Sequence, residues 1–219
     1  MSEASPGRRW GLVLLGGGFI CLTGFLLLTG FVTRDTLVDT DRLARAFVHQ
    51  SHHPLLGRVM EAVSYLGGHP GQVAVILFTS AMLWSRRRRW ALAFPAVMAG
   101  AGVLQYLAKW ALDRPRPNLD PWGFPSAHVL TLVVLCGYLA FVFAGSTARG
   151  RWRALAVSGC LATVCTVAYS RMYLDMHWLS DVLGGMSGGV AYLLLAIWLI
   201  GSLPSRRPGP ASALSRSSS

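Results

Sequence analysis

The sequence predicts an all-α fold, a polytopic membrane bundle of six transmembrane helices, and three observations carry that prediction. Apolar residues make up 53% of the 219-residue chain and fall in long runs. Charged residues are 13%, against roughly 25% in ordinary soluble domains. The basic residues are gathered in short arginine clusters between the apolar runs, as topology signals are. A net charge of +11 can also suggest nucleic acid, but that spacing does not suit it, so no nucleic-acid partner is expected.

Taken in order, residues 1–9 form a polar cytoplasmic segment with Arg8 and Arg9. Residues 10–32 are long enough to span a bilayer and exceed a signal-peptide core. No small-x-small cleavage site follows, so this first helix is expected to stay uncleaved. Residues 33–56 are polar, with Leu37, Leu43, Ala44, Phe47 and Val48 suited to one face of an interfacial helix, capped by Asp35 and ended by Pro54. Further spans are expected at 59–84, 90–110, 126–145, 155–173 and 182–203. Arg86–Arg89 and the Arg149, Arg151, Arg153 group form basic turns, and residues 111–125 form a proline-rich loop. Residues 10–203 thus read as one membrane domain without repeats, followed by a disordered cytoplasmic tail at 204–219. Cys21, Cys136, Cys160 and Cys165 lie inside apolar runs without metal-ligand spacing and read as packed thiols.

Charge sets the expected orientation. The N-terminus, both arginine turns and the tail hold twelve of twenty basic residues and one acid, Glu3. They alternate with loops in which eight acids balance eight basic residues. The positive-inside rule then places both termini in the cytoplasm and the balanced loops outside.

The balanced loops carry the residues that look chemical. His177 and Asp181 are four apart, one helical face, where a carboxylate can orient an imidazole. Arg171 offers a forked donor for phosphate. Lys109, the only lysine, ends a span and is either a snorkelling side chain or a compact cation for an anion. Pro125-Ser126-Ala127-His128 opens a helix whose N-terminus can hold an anion, or is an ordinary cap. The His177–Asp181 pair could equally be structural. Arg114 is a further candidate for phosphate, and His49, His52 and His53 form a weak metal candidate with no acid to complete it.

Lys109-(six residues)-Arg116-Pro117, Pro125-Ser126-Ala127-His128 and Ser170-Arg171-(five residues)-His177-(three residues)-Asp181 together resemble the three-part motif of the type 2 phosphatidic acid phosphatase family, PAP2, in its membrane-bound lipid phosphate phosphatase branch. Ala127 stands where the family usually has glycine. The soluble vanadium haloperoxidases share the constellation, but six spans argue against that branch. The resemblance implies hydrolysis of a lipid-linked phosphate or diphosphate without cofactor or metal. Lys109, Arg116, Arg171, Ser126 and the Ala127 N–H would bind the phosphoryl group. His177 would attack phosphorus, Asp181 would orient it, and His128 would protonate the leaving oxygen. Substrate and surrounding lipids are the expected partners, and the expected location is a bacterial cell membrane with the site on the outer face. The sequence leaves the lipid and the oligomeric state open. A phosphotransferase of the same family and a non-enzymatic anion-binding or transport bundle are the alternatives. One labelling experiment tests the orientation: a cysteine at Pro121 should react with an impermeant thiol reagent from outside and one at Arg88 should not, whereas the reverse pattern inverts the topology.

Overall fold

The computed structural model describes residues 6–66, 68–144 and 150–203, which are helical with short connections and contain no strand. Seven elements follow one another: α1 (Pro6–Thr33), α2 (Val38–His49), α3 (Pro54–Leu66), α4 (His69–Leu112), α5 (Ala127–Ala144), α6 (Gly150–Tyr173) and α7 (Leu179–Ser202). Residues 6–9 of the predicted N-terminal segment belong to α1, which starts at Pro6, a residue whose fixed φ suits a first helical position, and residues 1–5 lie outside the described residues. The tail predicted at 204–219 and part of the second basic turn lie outside the described residues.

The expected count of six spans is not reached on length and composition. Four helices qualify: Arg9–Thr33, Arg87–Leu112, α6 and α7. A fifth is counted only if the pair Pro54–Tyr65 and Pro70–Ser85, bent by 41°, is taken as one crossing. The bend falls at the Gly-Gly-His-Pro stretch, where a proline that cannot donate opens α4. The sixth candidate, α5, has 18 residues, or about 27 Å of helix, short of the roughly 30 Å hydrocarbon core. It starts at Ala127, one residue after the expected boundary, because Pro115, Pro117, Pro121 and Pro125 hold the preceding chain out of the helical region.

The basic stretch 86–89 is where two helices meet: Arg87 leaves helical geometry, at φ −143° and ψ 51°, and kinks α4 between its two halves, Pro70–Ser85 and Arg87–Leu112. The interfacial α2 also differs from expectation. Leu37, not Asp35, occupies the cap position and no side chain caps it. Asp35 sits in left-handed backbone at φ 55°. Val48 is buried, whereas Leu43 and Phe47 point outward, so the apolar residues divide between the protein and its surroundings. Cys165 is exposed rather than packed.

Helix α7 is the centre of the bundle, with α1 and α5 packed on it and α6 against α5. Its small residues permit that approach. A Cβ on Gly185 would lie 2.8 Å from the Ser126 carbonyl oxygen, and one on Gly189 would lie 2.9 Å from that of Leu130. The main buried cluster joins Phe94, Val97, Leu130, Val134, Tyr138, Val167, Leu193 and Ile197 from α4 to α7. Tyr138 donates its hydroxyl to the Trp90 carbonyl at 2.6 Å and Tyr192 to that of Val97 at 2.9 Å. The outer faces of α1, α3 and α4 show Leu12, Ile20, Leu27, Leu55, Phe78 and Leu107, as a bilayer requires. Gly189→Ala should therefore lower the apparent melting temperature in detergent, overpacking of this kind costing about 1–3 kcal/mol. Gly159→Ala, where nothing lies within 4 Å, should not lower it.

Candidate active site

The three motif segments meet at one end of α4, α5, α6 and α7. Helix α4 closes on Asp113, a left-handed residue at φ 35° whose N–H donates to the Lys109 carbonyl. That turn leaves Lys109 buried in the last helical turn. Its ammonium donates to the Trp122 carbonyl and, at 3.5 Å, to that of Gly123. A side chain at 123 would be crowded, because a Cβ there would sit 3.0 Å from the Arg114 carbonyl oxygen and 3.2 Å from Asp181 Oδ2.

Helix α5 starts where Ser126 donates its N–H to the Asp181 carbonyl at 2.9 Å, while its own carbonyl accepts from Leu130 at 3.0 Å. Ser126 is fully buried, and Ala127 and His128 form the first turn after it. Helix α6 ends with Ser170 and Arg171, both buried. The chain then reverses through Asp175, left-handed at φ 53°, a region that aspartate tolerates better than most residues. Arg45 holds the Asp175 carboxylate through two bonds, at 2.8 and 3.0 Å, and His49 Nε2 lies 3.0 Å away. The Arg45 bond, ahead of the His49 bond, keeps that carboxyl below the usual carboxylate range against the effect of burial. After the reversal, the N–H groups of Met176 and His177 both donate to the Arg171 carbonyl, at 3.0 and 3.2 Å.

His177 is 3% exposed, and its Nδ1 lies 3.5 Å from Asp181 Oδ2. That distance is longer than a normal hydrogen bond, and it leaves the two groups facing each other as a close carboxylate–imidazole pair. Burial pushes the imidazole down to about 4, opposed by Asp181 and reinforced by the positive charges of Lys109 and Arg171. His177 is therefore neutral, with its lone pair available, throughout the neutral pH range.

Lys109, Arg116 and Arg171 lie near enough for their charges to act on one another. Such a cluster of cations is a site for an anion. Arg116 Nε, Arg171 Nε, Ser126 Oγ and His177 Nδ1 are buried without a hydrogen-bond partner among the described residues. Those four belong to the predicted set and come from the three motif segments; His177 Nδ1 faces Asp181, and the other three are open to a ligand. Buried polar atoms normally find partners, so their concentration marks a place built for a ligand.

Two features were misread or missed in the sequence. Arg114 does not face the anion site: its guanidinium bridges Asp41, at 2.8 Å, and Asp181, at 2.6 Å. Ser64 of α3 is buried and accepts from Arg171 at 2.6 Å. Only its helical position one turn from the Gly-Gly break could have drawn notice. The histidine group 49, 52, 53 is engaged elsewhere, with His52 stacked on Tyr173 at 4.5 Å and the His53 N–H on the Tyr173 hydroxyl at 2.9 Å. Among the described residues no three His, Cys, Asp or Glu side chains cluster as metal ligands would.

Residues 90–203, more than half of the chain, match the family model described as the PAP2 superfamily. The chain belongs to the PAP2 superfamily. This PAP2 protein is 26% identical over 152 residues to phosphatidylglycerophosphatase B of Bacillus subtilis, covering 65% of the chain and 74% of that protein. It is 29% identical over 142 residues to lipid phosphate phosphatase delta of Arabidopsis thaliana, covering 56% of the chain but only 33% of that longer protein. Its fold is similar to the crystal structure of the transmembrane PAP2-type phosphatidylglycerolphosphate phosphatase from Bacillus subtilis, at TM-score 0.78 and 21% identity over 87% of this chain and 98% of that one. It is also similar to Aquifex aeolicus LpxE, at TM-score 0.56 and 19% identity over 73% and 93%. The PAP2 membrane fold and an enzyme of the phosphatase class are thereby established for the chain.

If the unpartnered atoms of Arg116, Arg171 and Ser126 bind an anion, vanadate affinity should fall about tenfold or more in Arg116→Ala and Arg171→Ala, each removing charge-assisted hydrogen bonds. Ser64→Ala, which only loosens Arg171, should weaken binding by a smaller factor. Calorimetric titration with vanadate measures both.

Proposed function

We propose that this protein hydrolyses the phosphate of membrane lipid phosphates, monoesters or diphosphates, through a phosphohistidine on His177. The observation that carries the reading is the meeting of three cations, with buried polar atoms of Arg116, Arg171 and Ser126 that lack a partner among the described residues, beside a neutral, buried imidazole. Lys109, Arg116 and Arg171 neutralise the phosphoryl oxygens, as a divalent ion does at other phosphoryl-transfer sites, with Ser126 Oγ and the Ala127 N–H beside them. His177 Nε2 forms the bond to phosphorus while the phosphorus–oxygen ester bond breaks. His128 gives a proton to the leaving oxygen, then takes one from water as that water attacks the phosphohistidine and releases inorganic phosphate.

The lipid class is supported by position. The site lies at the ends of helices whose outer faces are apolar, where a substrate can keep its chains in the bilayer. Phosphatidylglycerol phosphate heads the candidates, because the Bacillus subtilis relative is named for it and is covered over most of its length. Charge asymmetry supports an outer-face site with both ends of the chain on the cytoplasmic side.

The decisive measurement is phosphate release from a panel of lipid phosphates in detergent, with excess EDTA, joined to rapid-quench trapping of acid-labile phosphoprotein. Wild type should release phosphate despite the chelator. His177→Ala should form no phosphoprotein with any substrate. His128→Ala should still form it from p-nitrophenyl phosphate, whose leaving group needs little protonation, and should accumulate it. Phosphoprotein in His177→Ala but not in His128→Ala reverses the two roles, and phosphate passed to an acceptor other than water makes the protein a transferase.

A further inference from the structure

Behind Asp181 lies a second polar cluster that the motif does not include. Asp41, on α2, is only 2% exposed, an unusual place for a carboxylate on an interfacial helix. Its Oδ1 accepts the Ser180 N–H at 2.9 Å. Its Oδ2 accepts the Ser180 hydroxyl at 2.6 Å and Arg114 Nη2 at 2.8 Å. Arg114 Nη1 donates to Asp181 Oδ1 at 2.6 Å and to Ser180 Oγ at 2.7 Å. The other Asp181 oxygen accepts the Trp178 N–H at 2.9 Å and faces His177. Carboxylate, guanidinium, carboxylate and imidazole therefore stand in series from α2 to the candidate nucleophile.

We propose that Asp41 and Arg114 are positioning residues for phosphoryl transfer, fixing the Asp181 carboxylate so that one oxygen faces His177 and setting the negative charge it offers. The inference rests on the reading of His177 as nucleophile. Two observations favour positioning over phosphate binding. Both terminal nitrogens of Arg114 already donate to protein oxygens, leaving the guanidinium little to offer a substrate. Asp41 also supplies the countercharge without which Arg114 would draw the Asp181 charge away from His177. With Oδ1 held by Arg114 and Oδ2 by the Trp178 N–H, the carboxylate cannot rotate about its own axis.

The full chain, purified in detergent, tests this with p-nitrophenyl phosphate and phosphatidylglycerol phosphate. The readouts are kcat, KM, the rate of phosphoprotein formation and inhibition by vanadate. Asp41→Asn and Arg114→Gln should lower kcat and the phosphorylation rate about 10- to 100-fold, the scale of one charge-assisted hydrogen bond. KM and vanadate inhibition should stay within about twofold of wild type. Arg114→Lys, which keeps the charge and loses the fork, should recover part of the rate. Asp39→Asn, an exposed acid on the same helix paired only with Arg42, should match wild type. A raised KM at unchanged kcat would make Arg114 a phosphate ligand and overturn the proposal. Unchanged kinetics in Asp41→Asn and Arg114→Gln would overturn it too. So would loss of vanadate binding together with rate in Asp41→Asn, Arg114→Gln and Arg114→Lys, which would reduce the cluster to a fold element. A wild type that forms phosphoprotein while these variants fail the test removes this inference alone. A wild type that forms none removes the phosphatase mechanism and this inference with it.

Discussion

One carboxylate ties the structure together at the point where α7 begins. Asp181 accepts the Trp178 N–H and so caps its own helix, placing negative charge at the positive end of the helix dipole. Its backbone carbonyl accepts the Ser126 N–H that starts α5. Its side chain receives Arg114 and faces His177. The start of two helices, the fixing of a loop arginine and the aim of a histidine are therefore a single arrangement. A charge at this depth is expensive unless several partners share it, and here they do.

The same region holds the opposite condition on its other side. Polar atoms of Arg116, Arg171 and Ser126 are buried and unmatched among the described residues. Proteins tolerate such groups where the cost of leaving them unsatisfied is repaid on binding. The contrast between a saturated carboxylate network and an unsaturated cationic cup, side by side, is what an anion site needs: rigid support behind, open donors in front.

Much of this was legible from the sequence. Helical periods, arginine clusters and three spaced motifs suffice to name Lys109, Arg116, Ser126, His128, Arg171, His177 and Asp181 and to predict the helical membrane class. What was not legible depended on tertiary approach. Arg114 lies two residues from Arg116, and nothing in the local pattern separates a clamp from a support; Asp41, 73 positions away, decides it. Ser64 looks like any small helical residue until Arg171 is folded onto it. The count of six spans is not confirmed for a related reason: hydropathy sees apolar length, but not the 41° bend within the second crossing. Leu43 and Phe47 were grouped with Val48 by period, yet only packing against α6 shows which of them turns inward.

Asp41 and Ser64 have a further consequence for what counts as a unit of this protein. The stretch that the family model matches begins at residue 90, yet the countercharge for Arg114 and the hydroxyl that steadies Arg171 both come from earlier helices. The border drawn by sequence likeness and the border of the working assembly do not coincide. The motifs travel as a contiguous block, but their electrostatic upkeep is supplied by α2 and α3. Transplanting residues 90–203 between relatives would thus import the reactive side chains without their supports.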